Sequence, residues 1–161
     1  MAAAVLEDQG LEALTMRELA GRMGIRAPSL YKHVRDKDDI IAGLQERALI
    51  DMAQHLDTAE PGLPALAGAY RSWARANPRL YELVSRHPLA RDRIAAGVEA
   101  AAAAPIVIAA GGDEHLARAL WALAHGLVDL ELSHRFPPGA DLDATWRTAL
   151  SGFERQLPVT P

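Results

Sequence analysis

Cysteine is absent from the 161-residue chain, which excludes disulfides and thiolate metal centres and is compatible with a cytoplasmic location. Long hydrophobic runs are missing as well. The most apolar stretch, Ala95 to Ala110, is rich in alanine and interrupted by Glu99 and Pro105, so it falls short of the roughly 20 residues of a membrane helix, and no membrane partner is expected. Between Leu63 and Leu157 there is neither the alternation of a half-buried strand nor a repeat, which leaves an all-α fold. A G-x-S-x-G elbow, a P-loop, G-x-G-x-x-G and H-E-x-x-H are all missing, and no two carboxylates share an obvious partner. An enzymatic reading therefore has no support, and no catalytic residue or cofactor is assigned. Glu131-Leu132-Ser133-His134 has the Glu-x-x-His spacing of di-iron bundles, but such sites use two copies plus further carboxylates, and no second copy exists. No metal is assigned to it.

What is present is half hydrophobic, enough to bury a core in one or two helical domains, in a chain small enough to gain from oligomerisation. The formal net charge of −4 argues against wholesale coating of nucleic acid. A local patch is different: between Met16 and Arg35 the charged residues are Arg17, Arg22, Arg26, Lys32 and Arg35 against a single Glu18. That stretch, Thr15 to Asp39, supplies the parts of a helix-turn-helix. Thr15 and Glu18 form a capping box, in which hydroxyl and carboxylate satisfy open backbone donors, so a helix starts near Met16. Met16, Leu19, Ala20 and Met23 share one stripe, and Gly24 stands where a helix ends in a left-handed residue. Ile25 is placed to plug the gap between helices. Pro28 suits a first turn, and a second helix over about Ala27 to Val34 turns Leu30 and Val34 inward. Its outer face, Ser29, Lys32 and His33 with Tyr31 beside it, has the size and polarity to enter a major groove, though an ordinary helical hairpin fits the same pattern.

The run G-I-R-A-P-S-L-Y-K-H-V-R-D-K, Gly24 to Lys37, resembles the recognition-helix signature of the tetracycline-repressor (TetR) family, and the similarity extends over roughly Ala2 to Leu44. It implies a three-helix head over residues 1–44. It also implies that Ala27, Pro28, Ser29 and Lys32 lie nearest the bases, while Thr15, Tyr31, His33 and Lys37 hold phosphates and Arg26 is a further groove-facing position. Small side chains at a helix start allow close approach, and hydroxyl, imidazole and ammonium groups suit phosphate oxygens, so the chemistry agrees. AAAVLEDQG reads as the last turns of a helix closed by Gly10. In the resembled family that helix is longer and often follows a basic arm, so the chain looks shortened at its N-terminus. Lost arm contacts imply weaker, less salt-dependent binding.

Beyond the head, Asp36 caps a long connecting helix with Asp38 and Asp39 at its positive end and a stripe of Ile40, Ile41, Leu44, Ala48, Met52 and Leu56. AEPGLP, Ala59 to Pro64, is a boundary. Further helices are expected over Leu66 to Arg75, Arg79 to Ser85, and from near Pro88 to Gly111-Gly112, the last bent or broken by Pro105. From Asp113 the positions Leu116, Leu120, Leu123, Leu127, Leu130 and His134 repeat at bundle spacing. That helix is closed by Phe136-Pro137-Pro138-Gly139. Asp141 caps another, with Leu142, Trp146, Ala149, Leu150, Phe153 and Leu157 on one stripe. On pattern alone the pair is equally well internal core or an interface. In the resembled family such a pair forms a four-helix dimer interface, which assigns Leu120, Leu123, Leu127, Leu130, Trp146, Leu150 and Phe153 to a homodimer contact.

Asn77 to Val84 (N-P-R-L-Y-E-L-V) and Trp121 to Gly126 (W-A-L-A-H-G) resemble the WHG-type C-terminal domain of TetR regulators, implying a ligand-binding and dimerisation domain over residues 45–161. Trp73, Tyr81 and Trp121 either line an apolar ligand cavity walled by Ala95–Ala110 or simply pack, and His125, on a face with Asp129, is either its polar fixture or a core histidine. Arg86, His87, Arg91 and Arg93 read as solvated surface able to receive an anionic group. The expected protein is a homodimeric DNA-binding regulator, a repressor released from its operator by a small, mostly apolar effector. The alternative is an interaction module that has kept the fold and lost DNA. Acidic or bulky apolar groove-facing positions would favour that module, and these are not.

Overall fold

The structure, a computed structural model, describes residues 1–156; Leu157 lies outside them. The described residues form nine α-helices and no strand, and none of those helices is long and apolar enough to cross a membrane. Two compact units result, one of Met1–Asp51 with Asn77–Glu99, the other of Met52–Ala76 with the residues from Ala100 onward.

In the first unit, α1 (Ala2–Gln9), α2 (Met16–Arg22), α3 (Ala27–Leu30) and the start of α4 (Lys37–Asp57) turn Val5, Leu6, Leu14, Leu19, Ala20, Leu30, Ile40 and Leu44 inward. The unit is completed by α6 (Pro78–Ser85), which packs on α1 and buries Leu80, Tyr81 and Leu83. Polar contacts tie this later segment down. Glu7 accepts the backbone N–H groups of Leu80 at 2.9 Å and Arg79 at 3.4 Å, capping α6 in place of Asn77, which makes no side-chain cap bond. Gln45, fully buried, donates through Nε2 to the Leu83 and Pro88 carbonyls at 3.2 and 3.1 Å and accepts the Ala90 N–H at 3.0 Å. Glu46 accepts the Ala95 N–H at 2.9 Å.

These bonds explain a departure from expectation. Residues 88–97 form turns, and α7 begins only at Val98 (Val98–Ala109). The N–H groups of Ala90 and Ala95 are spent on α4 side chains, and Gly97 has φ +88°, a value no helix accommodates. Pro105 does not break α7, which runs continuously through it although the proline has no N–H to give the ladder.

The second unit packs α5 (Leu63–Ala76) against α8 (Glu114–Leu132) and α9 (Leu142–Glu154). Asp113 accepts the His115 and Leu116 N–H groups at 2.8 and 3.0 Å, and Asp141 that of Ala144 at 2.9 Å, the two expected N-caps. The α8 core face is Ala117, Leu120, Ala124 and Val128, set against Trp73, Trp146 and Leu150. It is rotated from the leucine repeat, so Leu116, Leu123 and Leu127 are only half-buried and Leu130 is exposed. His134 does not extend that repeat. It sits after the helix at φ +52°, and Arg135 N–H then reaches back to the Leu130 carbonyl at 2.9 Å, a left-handed closure in which histidine occupies a place usually held by glycine. Glu131 is engaged by Arg71, at 2.7 and 3.1 Å. The same guanidinium holds Asp143 at 2.5 Å and lies 5.7 Å from the Trp146 ring centre, tying α5, α8 and α9 together.

Candidate nucleic-acid interface

The head begins as its sequence dictates. Thr15, in extended backbone, accepts the Glu18 N–H at 3.1 Å. The reciprocal half of the capping box is replaced: the Glu18 carboxylate instead takes Arg22 Nε at 2.8 Å. This leaves the Thr15 backbone N–H without the Glu18 carboxylate, while its hydroxyl, an acceptor for Glu18 N–H, can still donate its own hydrogen. Gly24, at φ +65°, closes α2 in a Schellman arrangement, with Ile25 N–H on the Ala20 carbonyl at 3.0 Å and Gly24 N–H on that of Gly21 at 3.1 Å.

Two side chains turn outward against expectation. Met23 is 48% exposed and Ile25 37%, because α2 ends at Arg22 and the left-handed Gly24 swings the chain away from the stripe. The second helix is also shorter than the expected Ala27 to Val34. Regular α-helix covers Ala27–Leu30, and the chain continues to Val34 in tightened turns, with His33 N–H on the Leu30 carbonyl at 2.9 Å and Lys32 N–H on that of Ser29 at 3.4 Å. The next helix starts at Lys37, with the Asp36 carboxylate accepting the Asp39 N–H at 2.8 Å.

Around this short helix Thr15, Arg26, Pro28, Ser29, Tyr31, Lys32 and His33 are exposed, while Ala27 and Lys37 are half-buried. The Lys37 ammonium is not splayed into solvent: Nζ donates to the Leu11 carbonyl at 3.1 Å, aiming its remaining hydrogens from the α1–α2 turn. The cations fall into two groups. Arg22 is neutralised by Glu18 and Asp8, and Arg35 by Asp39. Arg17, Arg26 and Lys32 have no ion-pair partner among the described residues, so three such cations lie on or beside α2 and α3 of an acidic protein.

Sequence reasoning missed Arg93. Placed with the solvated arginines, it instead donates from Nη1 to Asp36 Oδ1 at 2.7 Å and Asp39 Oδ1 at 2.8 Å. Asp39 also accepts Arg35 three times, from the backbone N–H at 2.9 Å and from Nε and Nη2 at 2.8 and 2.6 Å. The Asp39 carboxyl is held far below its ordinary range, foremost by Arg35. Asp36 is lowered foremost by Arg93. No local pattern carries this signal, because the partners are more than fifty residues apart. Arg91 pairs with Glu99 at 2.7 Å and Arg86 with Glu82 at 3.6 Å.

The other predicted residues divide between the units. Trp73 is buried in the second and Tyr81 in the first. Trp121, 51% exposed, stacks on His125 with ring centres 5.9 Å apart and planes 22° from parallel. A cleft of about 360 Å³ in the first unit is bounded by Leu6, Leu11, Arg79, Glu82 and His87, among others, and by none of the predicted ligand residues. Of the predicted dimer residues, Leu120, Trp146 and Leu150 are in the chain's own core. Leu123, Leu127, Leu130 and Phe153 retain access to solvent.

Comparison with known proteins covers the chain in two stretches. Residues 1–44 match the family described as "Bacterial regulatory proteins, tetR family", and residues 63–153 match "Tetracyclin repressor-like, C-terminal domain". The chain is similar to an uncharacterized HTH-type transcriptional regulator of Mycobacterium tuberculosis, Rv0681, at 32% identity over 142 residues, 80% of this chain and 65% of that protein. It is also similar to the class D tetracycline repressor of Escherichia coli, at 36% identity over 73 residues, 45% of this chain and 31% of the repressor. It thus spans less than two thirds of the length of either relative. The crystal structure of SCO4313 superposes with a TM-score of 0.80 at 26% identity, over 94% of this chain and 90% of that one.

Proposed function

Because this chain belongs to the TetR family of regulators, we propose that it binds operator DNA as a homodimer in the cytoplasm and represses transcription until a small, mostly apolar molecule releases it. The observation that carries the DNA reading is the unneutralised set Arg17, Arg26 and Lys32 around an exposed, small-residue helix start at Ala27, Pro28 and Ser29. Backbone contacts to phosphate supply most of the affinity for DNA, and base edges in the major groove supply the choice of sequence. Thr15, Tyr31, His33 and Lys37 take the phosphates; Arg26, Ala27, Pro28, Ser29 and Lys32 approach the bases. One such head reads only a few base pairs. Two heads related by a two-fold axis, with half-sites about 34 Å apart or at a groove-matched longer spacing, supply a usable site.

Lys37→Ala tests the phosphate role. Affinity is expected to fall on every duplex alike, and the slope of log affinity against log salt to drop by about one. A slope equal to that of the wild type in a fluorescence-anisotropy salt titration removes Lys37 from the phosphate set.

For the effector, the half-exposed Trp121 stacked on His125 in the second unit supplies an aromatic face beside a polar ring for a mostly apolar molecule to cover. A ligand shifts the protein only by its preference for one state over the other, so it must favour a form that no longer fits the operator. His125→Ala is expected to keep wild-type DNA affinity while abolishing release by an effector found by screening apolar compounds. A variant released as readily as the wild type returns His125 to a structural role.

A further inference from the structure

Arg93 lies outside the head's own helices, in the turns between α6 and α7, yet its guanidinium is lodged between Asp36 and Asp39 with its side chain 24% exposed. Those two carboxylates control how the chain leaves the recognition element. Asp36 accepts the Asp39 N–H and so caps α4, and Asp39 accepts the Arg35 N–H and side chain. His33 lies three residues before Asp36 and Lys37 directly after it, so the carboxylates are sequence neighbours of the groups assigned to phosphate. Two carboxylates there would repel a phosphate backbone. Arg35 alone compensates one of them, leaving the second to Arg93.

We propose that Arg93 is a positioning residue for DNA binding, reaching from the turns after α6 to hold Asp36 and Asp39 and to cancel the carboxylate charge that Arg35 leaves uncompensated. The proposal rests on the DNA-binding reading above. It has two separable consequences. In the free protein, Arg93 fixes the Arg35–Asp39 bend, so Arg93→Gln speeds amide hydrogen exchange at Arg35 and Asp39 by about tenfold or more, a local opening rather than a global one. On DNA, exposing one carboxylate within about a Debye length of several phosphates weakens binding roughly three- to tenfold at low salt, and the deficit shrinks as salt rises.

The experiment uses a random-sequence duplex of about 30 base pairs at low ionic strength, where contacts to the phosphate backbone dominate. Four proteins are compared: wild type, Arg93→Gln, Arg93→Lys and the double variant Arg93→Gln with Asp36→Asn. Asparagine keeps the α4 cap and deletes the charge. Arg93→Gln is expected to bind more weakly, Arg93→Lys to recover part of the loss, and the double variant to return to within about twofold of wild type, since its local charge balance is restored. A double variant as weak as Arg93→Gln overturns the proposal. So does an Arg93→Gln protein that binds and exchanges like the wild type. If the wild type shows no salt-dependent binding to the duplex, the DNA reading itself fails, and amide exchange at Arg35 and Asp39 still decides whether Arg93 holds the bend.

Discussion

Gln45→Leu is expected to lower the melting temperature by about 10 °C. The side chain is fully buried and its amide meets three backbone groups, the carbonyls of Leu83 and Pro88 and the N–H of Ala90. Leu83 lies in the last turn of α6, where carbonyls have no partner within the helix. Leucine keeps the volume and removes every bond. Each buried backbone group left unpaired costs about 1–3 kcal/mol, and water entering beside Pro88 would recover some of it, so a net loss of about 3–5 kcal/mol follows. For a chain of this length 1 kcal/mol moves the midpoint about 2–4 °C. Thermal melting followed by far-UV circular dichroism measures the shift. A change of less than about 3 °C would mean that the turns after α6 do not depend on Gln45, against the geometry.

The second large effect is on assembly. Leu127→Glu is expected to turn the proposed dimer into monomers and to cut DNA affinity by about a hundredfold or more, the advantage that linking two heads confers. Leu127 is half-buried and Leu130 exposed in the single chain, on a strip of α8 beside the face that fills the unit's own core. A carboxylate there is tolerated by the monomer, which leaves it wet. A two-fold contact would bury two of them without partners. Leu120, buried in the chain's own core, is the wrong probe, since a charge there damages the fold itself. Analytical ultracentrifugation showing Leu127→Glu still dimeric would place the assembly surface elsewhere, and Leu130→Glu then tests whether any of this strip is used.

Features set by neighbours in sequence were legible. Thr15, Asp36, Asp113 and Asp141 cap the helices they were expected to cap, and Gly24 takes the left-handed turn, because each interaction closes within a few residues. Features decided at long range were not. Residues 88–97 have the composition of a helix start, but α4 takes their N–H groups through Gln45 and Glu46. The leucine repeat of α8 marks an apolar face without saying which part of it meets α5 and α9. The smaller Ala117, Ala124 and Val128 take the core, where helices approach closely. Arg93 looked solvated because its partners, Asp36 and Asp39, lie 57 and 54 positions earlier. The exposure of Thr15, Arg26, Pro28, Ser29, Tyr31, Lys32 and His33 was readable because exposure asks nothing of distant residues.

The head unit is discontinuous, and that bears on how the protein is made. The bonds from Glu7 to α6 and from Asp36 to Arg93 join positions 73 and 57 apart. A ribosome adding about 5–20 residues per second needs about 4–15 s to travel from Glu7 to Leu80. During that interval α1 and α2 exist without the helix that covers Leu6, and their apolar surface is open to solvent and to chaperones. The head, although synthesised before α6, is therefore among the later parts to reach its final form, and a nascent chain stalled before Arg93 would carry α1 to α3 without the frame that holds them.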